Sequence, residues 1–205
     1  HTGGVDLVFP HHENEIAQSE ALTGKPFARY WLHAEHLMVE GQKMSKSLGN
    51  FFTIRDILDR GYSPESIRYL LTTTPYRKQL NFTMDGLKAA ATAIDRLRNF
   101  KLRLETDRFP EGANEALEAR VAAASEVFLA SLNDDLNTAE ALAAAFEYIR
   151  EANSAMDSGN FHAGNVGGAL GFLDRFDSIF DVLRPSSSGH GLSDAEVEGL
   201  IAQGG

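Results

Sequence analysis

The sequence predicts the tail of a doubly wound α/β domain, followed by an all-α connector and a helical bundle. Three observations predict it. Residues 5–9, VDLVF, form a short apolar run rich in β-branched and aromatic residues and bounded by glycines, which reads as a buried parallel strand. Glycines mark the joints between that run, a helix-like stretch and a second strand-forming stretch. From Asn50 onward, apolar residues recur at helical spacing to the end of the chain.

Each element has a local justification. Pro10 suits a first helical turn, where its missing N–H costs nothing. HHENEIAQSEALTG, residues 11–24, then reads as a helix with Gly24 as its C-terminal cap. ARYWLHAEHLMVEG, residues 28–41, is strand-forming through Tyr30, Leu32, Leu37 and Val39. Thr53, with Asp56 three residues on, caps IRDILDR, and Gly61 stops it. Ser63 and Pro64 open ESIRYLLTT, and Pro75 ends it. Thr83 caps a long helix from Met84 to about Leu104, with a stripe at Leu87, Ala90, Ala91, Ile94, Leu97 and Leu102. RFPEGANE at 108–115 is a loop. Three helices follow at about 116–132, 138–156 and 166–183, the first two joined by NDDLNT at 133–138, a structural turn. RPSSSGHG at 184–191 is a flexible spacer, and SDAEVEGLIAQ at 193–203 opens a last helix. The expected units are residues 1–50, 51–105, 106–185 and 186–205.

The bulk numbers narrow the function classes. A formal net charge of −10 argues against a generic nucleic-acid coat protein, while leaving room for a local basic face. The chain has no cysteine, so it carries no disulfide framework. No apolar run approaches membrane-spanning length, and a cytoplasmic protein without membrane contact is expected. The chain opens on HTGGVDLVFPHHENE with no initiator Met, and is expected to be an internal piece of a longer protein.

Four groups of residues could carry chemistry. His11 and Glu15 lie i, i+4, and His12 and Glu15 lie i, i+3, so each pair shares a helix face. Such pairs can ligate zinc; they also make an ordinary polar first turn favoured by the helix dipole. Gly3, Gly4 and Asp6 would let backbone approach a ligand and accept ribose hydroxyls, or simply make a tight turn. KMSKS at 43–47 offers Lys43, Ser45, Lys46 and Ser47 as donors to phosphate oxygens, between Gly41 and Gly49 that suit a moving loop; an exposed basic turn is the other reading. Arg55, Arg60, Arg68, Arg77 and Lys78, interleaved with Tyr62, Tyr69 and Tyr76, and then Arg96, Arg98, Lys101 and Arg103, form either an RNA-facing surface or solvated helix faces.

Taken in order, these stretches resemble one family. KMSKS is similar to the second signature of class I aminoacyl-tRNA synthetases. HTGGVDLVFPHHENEIAQSEA, KMSKSLGNFFTIRDIL and SLNDDLNTAEALAAAFEYIREAN together resemble the cysteinyl-tRNA synthetases over nearly the whole chain. The resemblance implies activation of L-cysteine with ATP and Mg2+, transfer to tRNA(Cys), and a monomer. It makes residues 1–50 the end of a Rossmann-like catalytic domain bearing the KMSKS loop. Residues 51–105 become a stem-contact fold with its long helix, and 106–185 a DALR-type bundle.

Residue by residue, the resemblance makes Lys46 the leading ATP ligand and catalytic lysine, with Lys43 as helper and Ser45 and Ser47 beside them. It assigns His11 and Glu15 to zinc, alongside two cysteines that the family has upstream of His1, together with its other ATP-binding signature. His1 and His12 become active-site histidines beside the metal. Gly3, Gly4 and Asp6 fall on the segment that cradles the ribose, and Arg55, Arg68, Arg77 and Lys78 on the tRNA side. An anticodon-reading region is expected after Gln203. The chain alone is expected to hold Zn2+ weakly or not at all and to activate no cysteine. Two other readings stay open: a cysteine ligase of mycothiol synthesis, which hands cysteine to an amino sugar, and a non-catalytic tRNA-binding fragment.

Overall fold

The computed structural model describes residues 1–184; the unit expected at 186–205, with the rest of the spacer and the last helix, lies outside the described residues. Strand β1 (Thr2–Gly4) pairs in parallel with β2 (Leu32–Ala34), placing Gly3 opposite His33. Helix α1 (Glu13–Thr23) makes the crossover and ends at Gly24, which takes φ 64 and donates its N–H to the Glu20 carbonyl. The strand–helix–strand order is therefore as expected, but its first strand is misplaced by the sequence reading. Residues 5–9 are not a buried strand: Val5–Leu7 is a 3-10 turn, only Phe9 is extended (φ −136, ψ 133), and Phe9 is 76% exposed. A five-residue apolar run fits a strand or a turn equally by pattern, and here the ladder stops at Gly4 because its partner stops at Ala34. Tyr30 and Leu37 likewise lie outside the strands, and Tyr30 is exposed.

A second small sheet follows. β3 (Met38–Val39) is central, with β4 (Gln42–Lys43) antiparallel on one side and β5 (Asn81–Phe82) parallel on the other. Glu40 and Gly41 make the hairpin turn, both at positive φ (50 and 76), as a tight two-residue loop requires. β5 corrects the expectation of an all-helical pattern after Asn50. Two residues leave no periodic signal, and only the pairing with Met38 and Val39 makes them a strand.

The helices follow the local signals. α2 (Ile54–Asp59) carries a full capping box: Thr53 N–H donates to Asp56 Oδ2 at 2.7 Å, and Asp56 N–H donates to Thr53 Oγ1 at 3.2 Å. α3 (Pro64–Thr72) is capped by Ser63, and α4 (Met84–Thr106) by Thr83. α5 (Glu115–Asn133), α6 (Thr138–Asp157) and α7 (Val166–Phe180) complete the bundle. α7 ends earlier than expected because Asp181 turns left-handed at φ 50 and Asp177 Oδ1 accepts the N–H groups of Val182 and Leu183. On α4 the buried stripe is Leu87, Ala90, Ile94, Leu97, Phe100 and Leu104. Leu102 was expected in that stripe but is 55% exposed, since it falls between the 100 and 104 positions.

Phe128 is fully buried against the rings of Phe172, Phe176 and Phe180, at centroid distances of 5.9, 6.0 and 6.2 Å. Each such ring contributes about 1.5–3 kcal/mol by leaving water. The connector is locked to the bundle by Arg98, which donates to the carbonyls of Leu183 and Val182, and by Tyr69, edge-on to Phe146. No helix among the described residues is long and apolar enough to cross a membrane.

Candidate functional site

The parallel strands and the start of α1 bring four histidines and a carboxylate together. His1 Nε2 lies 2.9 Å from Glu15 Oε2, and His12 Nε2 lies 4.0 Å from the same oxygen. Ligand atoms of His1, His12 and Glu15 all fall within 4.8 Å of one another. His11 stays at the rim, 60% exposed, with Nε2 3.4 Å from Glu15 Oε1. His12 is buried, and its Nδ1 is 2.7 Å from His33 Nε2. Imidazole nitrogens and a carboxylate suit zinc, and His33 occupies the outer nitrogen of His12 as a partner behind a metal-binding imidazole does. The residues present therefore fit a zinc ion as a partial, thiolate-free ligand set.

The pairing of β1 with β2 explains this geometry. Gly3 sits opposite His33 and directly under His12: a Cβ on Gly3 would come within 2.7 Å of His12 Cε1 and 2.9 Å of Leu7 Cδ1. Only glycine admits that approach. Trp31 stacks on His33 (6.1 Å, 14°) and meets His1 edge-on at 4.9 Å, so it forms an aromatic wall. Asp6 is exposed, as an acceptor for a ligand hydroxyl should be, and shares its carboxylate with His36 at 3.5 Å. Sequence reasoning missed His33, Trp31 and His36. Their signal was the strand stretch of residues 30–37, which carried meaning only once its register against Gly3 was known.

The lysine–serine loop divides its side chains between solvent and the fold. Lys43 and Lys46 point outward and are exposed, while Met44 is half-buried. Met44 lines an apolar cleft of about 110 Å³ with Leu37, Val39, Phe52, Ile57 and Phe82. Ser45 caps a 3-10 turn at Lys46–Leu48, its Oγ lies 2.7 Å from Ser47 Oγ, and Gly49 closes the turn at φ 67. Lys46 Nζ rests 5.4 Å from the centre of the Phe51 ring, a cation–π contact at the surface. Asn50, which the sequence did not single out, holds the loop from behind: its Oδ1 accepts the Ser45 N–H at 2.8 Å, and its Nδ2 donates to the Lys43 carbonyl at 3.2 Å and the Val39 carbonyl at 3.4 Å.

The family of tRNA synthetases class I (C) catalytic domains matches residues 1–92, and the DALR domain matches residues 127–184. The chain is 68% identical over 98% of its length to the cysteine–tRNA ligase of Solibacter usitatus (strain Ellin6076). It is 49% identical over 99% of its length to that of Koribacter versatilis (strain Ellin345). The chain belongs to the cysteine–tRNA ligase family. It spans less than half the length of these relatives, 43% and 47%. The same fold occurs in the Agrobacterium radiobacter K84 LeuRS of a ternary complex with tRNA and LeuAMS, with TM-score 0.66 and 20% identity over 87% of this chain and 25% of that one. It occurs again in the Mycobacterium tuberculosis methionyl-tRNA synthetase in complex with methionyl-adenylate, with TM-score 0.66 and 17% identity over 92% of this chain and 42% of that one.

Within this family member the basic residues divide into two sets. Arg55 and Lys78 are exposed. Arg68 is exposed and 4.0 Å from Asp181. Arg77 donates from Nε to Asp135, beside Tyr76 Oη, which donates to the same carboxylate at 2.5 Å. Members of the later cluster tie helices together: Arg98 closes the end of α7, Arg103 donates to Asn153 and Asp157, and the exposed Arg96 lies over Phe146. Tyr69 is buried and Tyr62 half-buried, so neither is an exposed stacking platform. An unbroken basic–aromatic face is therefore not formed. Spacing along one helix cannot tell a cation that faces solvent from one that reaches a neighbouring helix.

Proposed function

We propose that this chain serves the activation of L-cysteine by ATP and its transfer to tRNA(Cys). The observation that carries the reading is the cluster of His1, His12 and Glu15, backed by His33, which the crossover helix α1 and the paired parallel strands bring together. Residues 1–50 act as the clamp-bearing end of a Rossmann-like catalytic domain, 51–105 as the stem-contact fold, and 106–185 as the DALR-type bundle. The reading carries with it a cytoplasmic, monomeric protein.

The roles of the side chains follow from their chemistry. Glu15 would hold zinc together with His1 and His12, whose donor atoms lie within 4.8 Å of one another and of its own, and with His11 at the rim. A bound zinc ion would supply a soft Lewis acid for the substrate thiolate, and so a means of rejecting serine. Gly3, Gly4 and Asp6 offer the ribose a close backbone and an acceptor. The cysteine carboxylate oxygen bonds to the α-phosphorus of ATP, and pyrophosphate leaves. Lys46 and Lys43, with the hydroxyls of Ser45 and Ser47, stabilise the charge gathering on that leaving group. A ribose hydroxyl of the tRNA then displaces AMP from the cysteinyl carbonyl. Arg55, Arg68, Arg77 and Lys78 would meet the tRNA backbone.

The test uses a hybrid in which this chain replaces the matching segment of the Solibacter usitatus ligase. Cysteine-dependent ATP–pyrophosphate exchange and tRNA charging are expected, and Lys46→Ala should slow exchange by roughly 10²-fold with little change in cysteine affinity. An unchanged exchange rate in that variant, or cysteine handed to an amino sugar in place of tRNA, would overturn the reading.

A further inference from the structure

The segment 76–82 runs as a strap beside residues 35–41. It is joined to them at three backbone points: the carbonyls of Tyr76, Leu80 and Phe82 accept the N–H groups of Glu35, Met38 and Glu40 at 2.8, 2.9 and 3.0 Å. The far end of the strap is β5, which runs directly into the Thr83 cap of α4. Its near end is held from the bundle. Tyr76 Oη donates to Asp135 Oδ1 at 2.5 Å, and Arg77 Nε donates to Asp135 Oδ2, across separations of 59 and 58 residues. Asp135 sits in the turn between α5 and α6, where it and Leu136 take φ 52 and 56. Non-glycine residues enter that left-handed region at a cost, so a turn that keeps two of them there is held from outside. The three charged and hydroxyl groups also perturb one another: the Arg77 guanidinium and then the Tyr76 hydroxyl hold the Asp135 carboxyl below its usual range.

We propose that Asp135 is a positioning residue for the histidine site: by seating Tyr76 and Arg77 it fixes the strap, and the strap fixes residues 35–41, which follow directly on the β2 strand that carries His33. The coupling is a continuous set of hydrogen bonds with named atoms at each joint, and it makes the helical bundle a support for the site rather than an appendage. Calling that site the working one rests on the function proposed above; the positional claim does not.

Trp31 allows the two to be tested apart. It is the only tryptophan in the chain, and its ring meets His1, His12 and His33. Its exposure to a neutral quencher reports how that corner is packed, whatever the cluster binds. The experiment is acrylamide quenching of the 205-residue chain, with helix content followed by circular dichroism. Asp135→Ala should raise the Trp31 quenching constant by about twofold, the lower end of coupling between linked sites. Tyr76→Phe and Asp135→Asn should raise it less, because each removes one part of the tie. Tyr76→Phe added to Asp135→Ala should change nothing further. A residue that merely steadies its own turn would leave Trp31 unmoved, so unchanged quenching in Asp135→Ala with helix content intact overturns the proposal. Should Asp135→Ala fail to fold, unchanged quenching in both Tyr76→Phe and Asp135→Asn overturns it equally.

Discussion

The side-chain oxygen of Asn50 accepts the N–H of Ser45 at 2.8 Å, closing the lysine–serine loop into a ring of six residues. Its amide nitrogen reaches the carbonyl of Lys43 as well, so one side chain holds both arms of the loop. Asn50→Ala removes every one of these bonds while leaving the lysines in place. Trypsin should then cut after Lys43 and Lys46 roughly tenfold faster, as local opening becomes easier, while global stability falls by only about 1 kcal/mol. Cleavage at the parent rate would show that Asn50 does not hold the loop.

Gly3 offers a second test, because the space above it belongs to His12. A methyl group there must displace the imidazole or the Leu7 side chain. Gly3→Ala should cost about 1–3 kcal/mol of stability, the usual range for overpacking, and should shift Trp31 emission as His12 moves. Thermal unfolding and fluorescence on the same sample check both. A parent-like melting temperature and spectrum would mean that the corner is looser than the distances imply.

Arg55 is the cleanest probe of the proposed tRNA contact, since Arg77 is tied to Asp135 and Arg68 faces Asp181. In the hybrid enzyme, Arg55→Glu should raise KM for tRNA and flatten the salt dependence by about one unit of log–log slope, the signature of a lost phosphate contact. Equal slopes in parent and variant would remove Arg55 from the interface.

Burial pushes the Tyr148 hydroxyl up to about 12, from an ordinary value of 10.0. The sign follows from which state holds the proton. Below pH 10 both states keep it, and folding is unaffected. Between about 10 and 12 the unfolded chain loses it while the folded chain does not, so stability falls as pH rises. One proton changes the slope by about 1.4 kcal/mol per pH unit. Tyr148→Phe should therefore flatten the alkaline limb by that amount, read from urea unfolding at several pH values; Tyr69, also pushed up to about 12 by burial, keeps a second such limb. An unchanged slope would mean that the hydroxyl ionises within the fold.

Much of this protein was legible from the sequence alone, and the reasons are local. The caps at Thr53, Ser63 and Thr83 work because a side chain three residues before a free N–H can reach it in almost any context. Gly24 and Gly61, read as helix stops, take positive φ for the same kind of reason. The order of the motifs, from HHENE through KMSKS to NDDLNT, carried the family, which the comparisons then bore out.

What tertiary structure alone decided are the relations between segments far apart in the chain. β1 begins at Thr2 rather than Val5 because its register is set by a partner thirty residues on. β5 exists only through β3. His33 joins the histidine cluster because parallel pairing sets it against Gly3, and Asp135 reaches Tyr76 because helix packing carries a turn across the molecule. Arg98 and Arg103 point into the protein for the same cause. A periodic pattern states which face of an element is apolar; it holds no information on which element will lie against that face, and each of these contacts depends on that pairing.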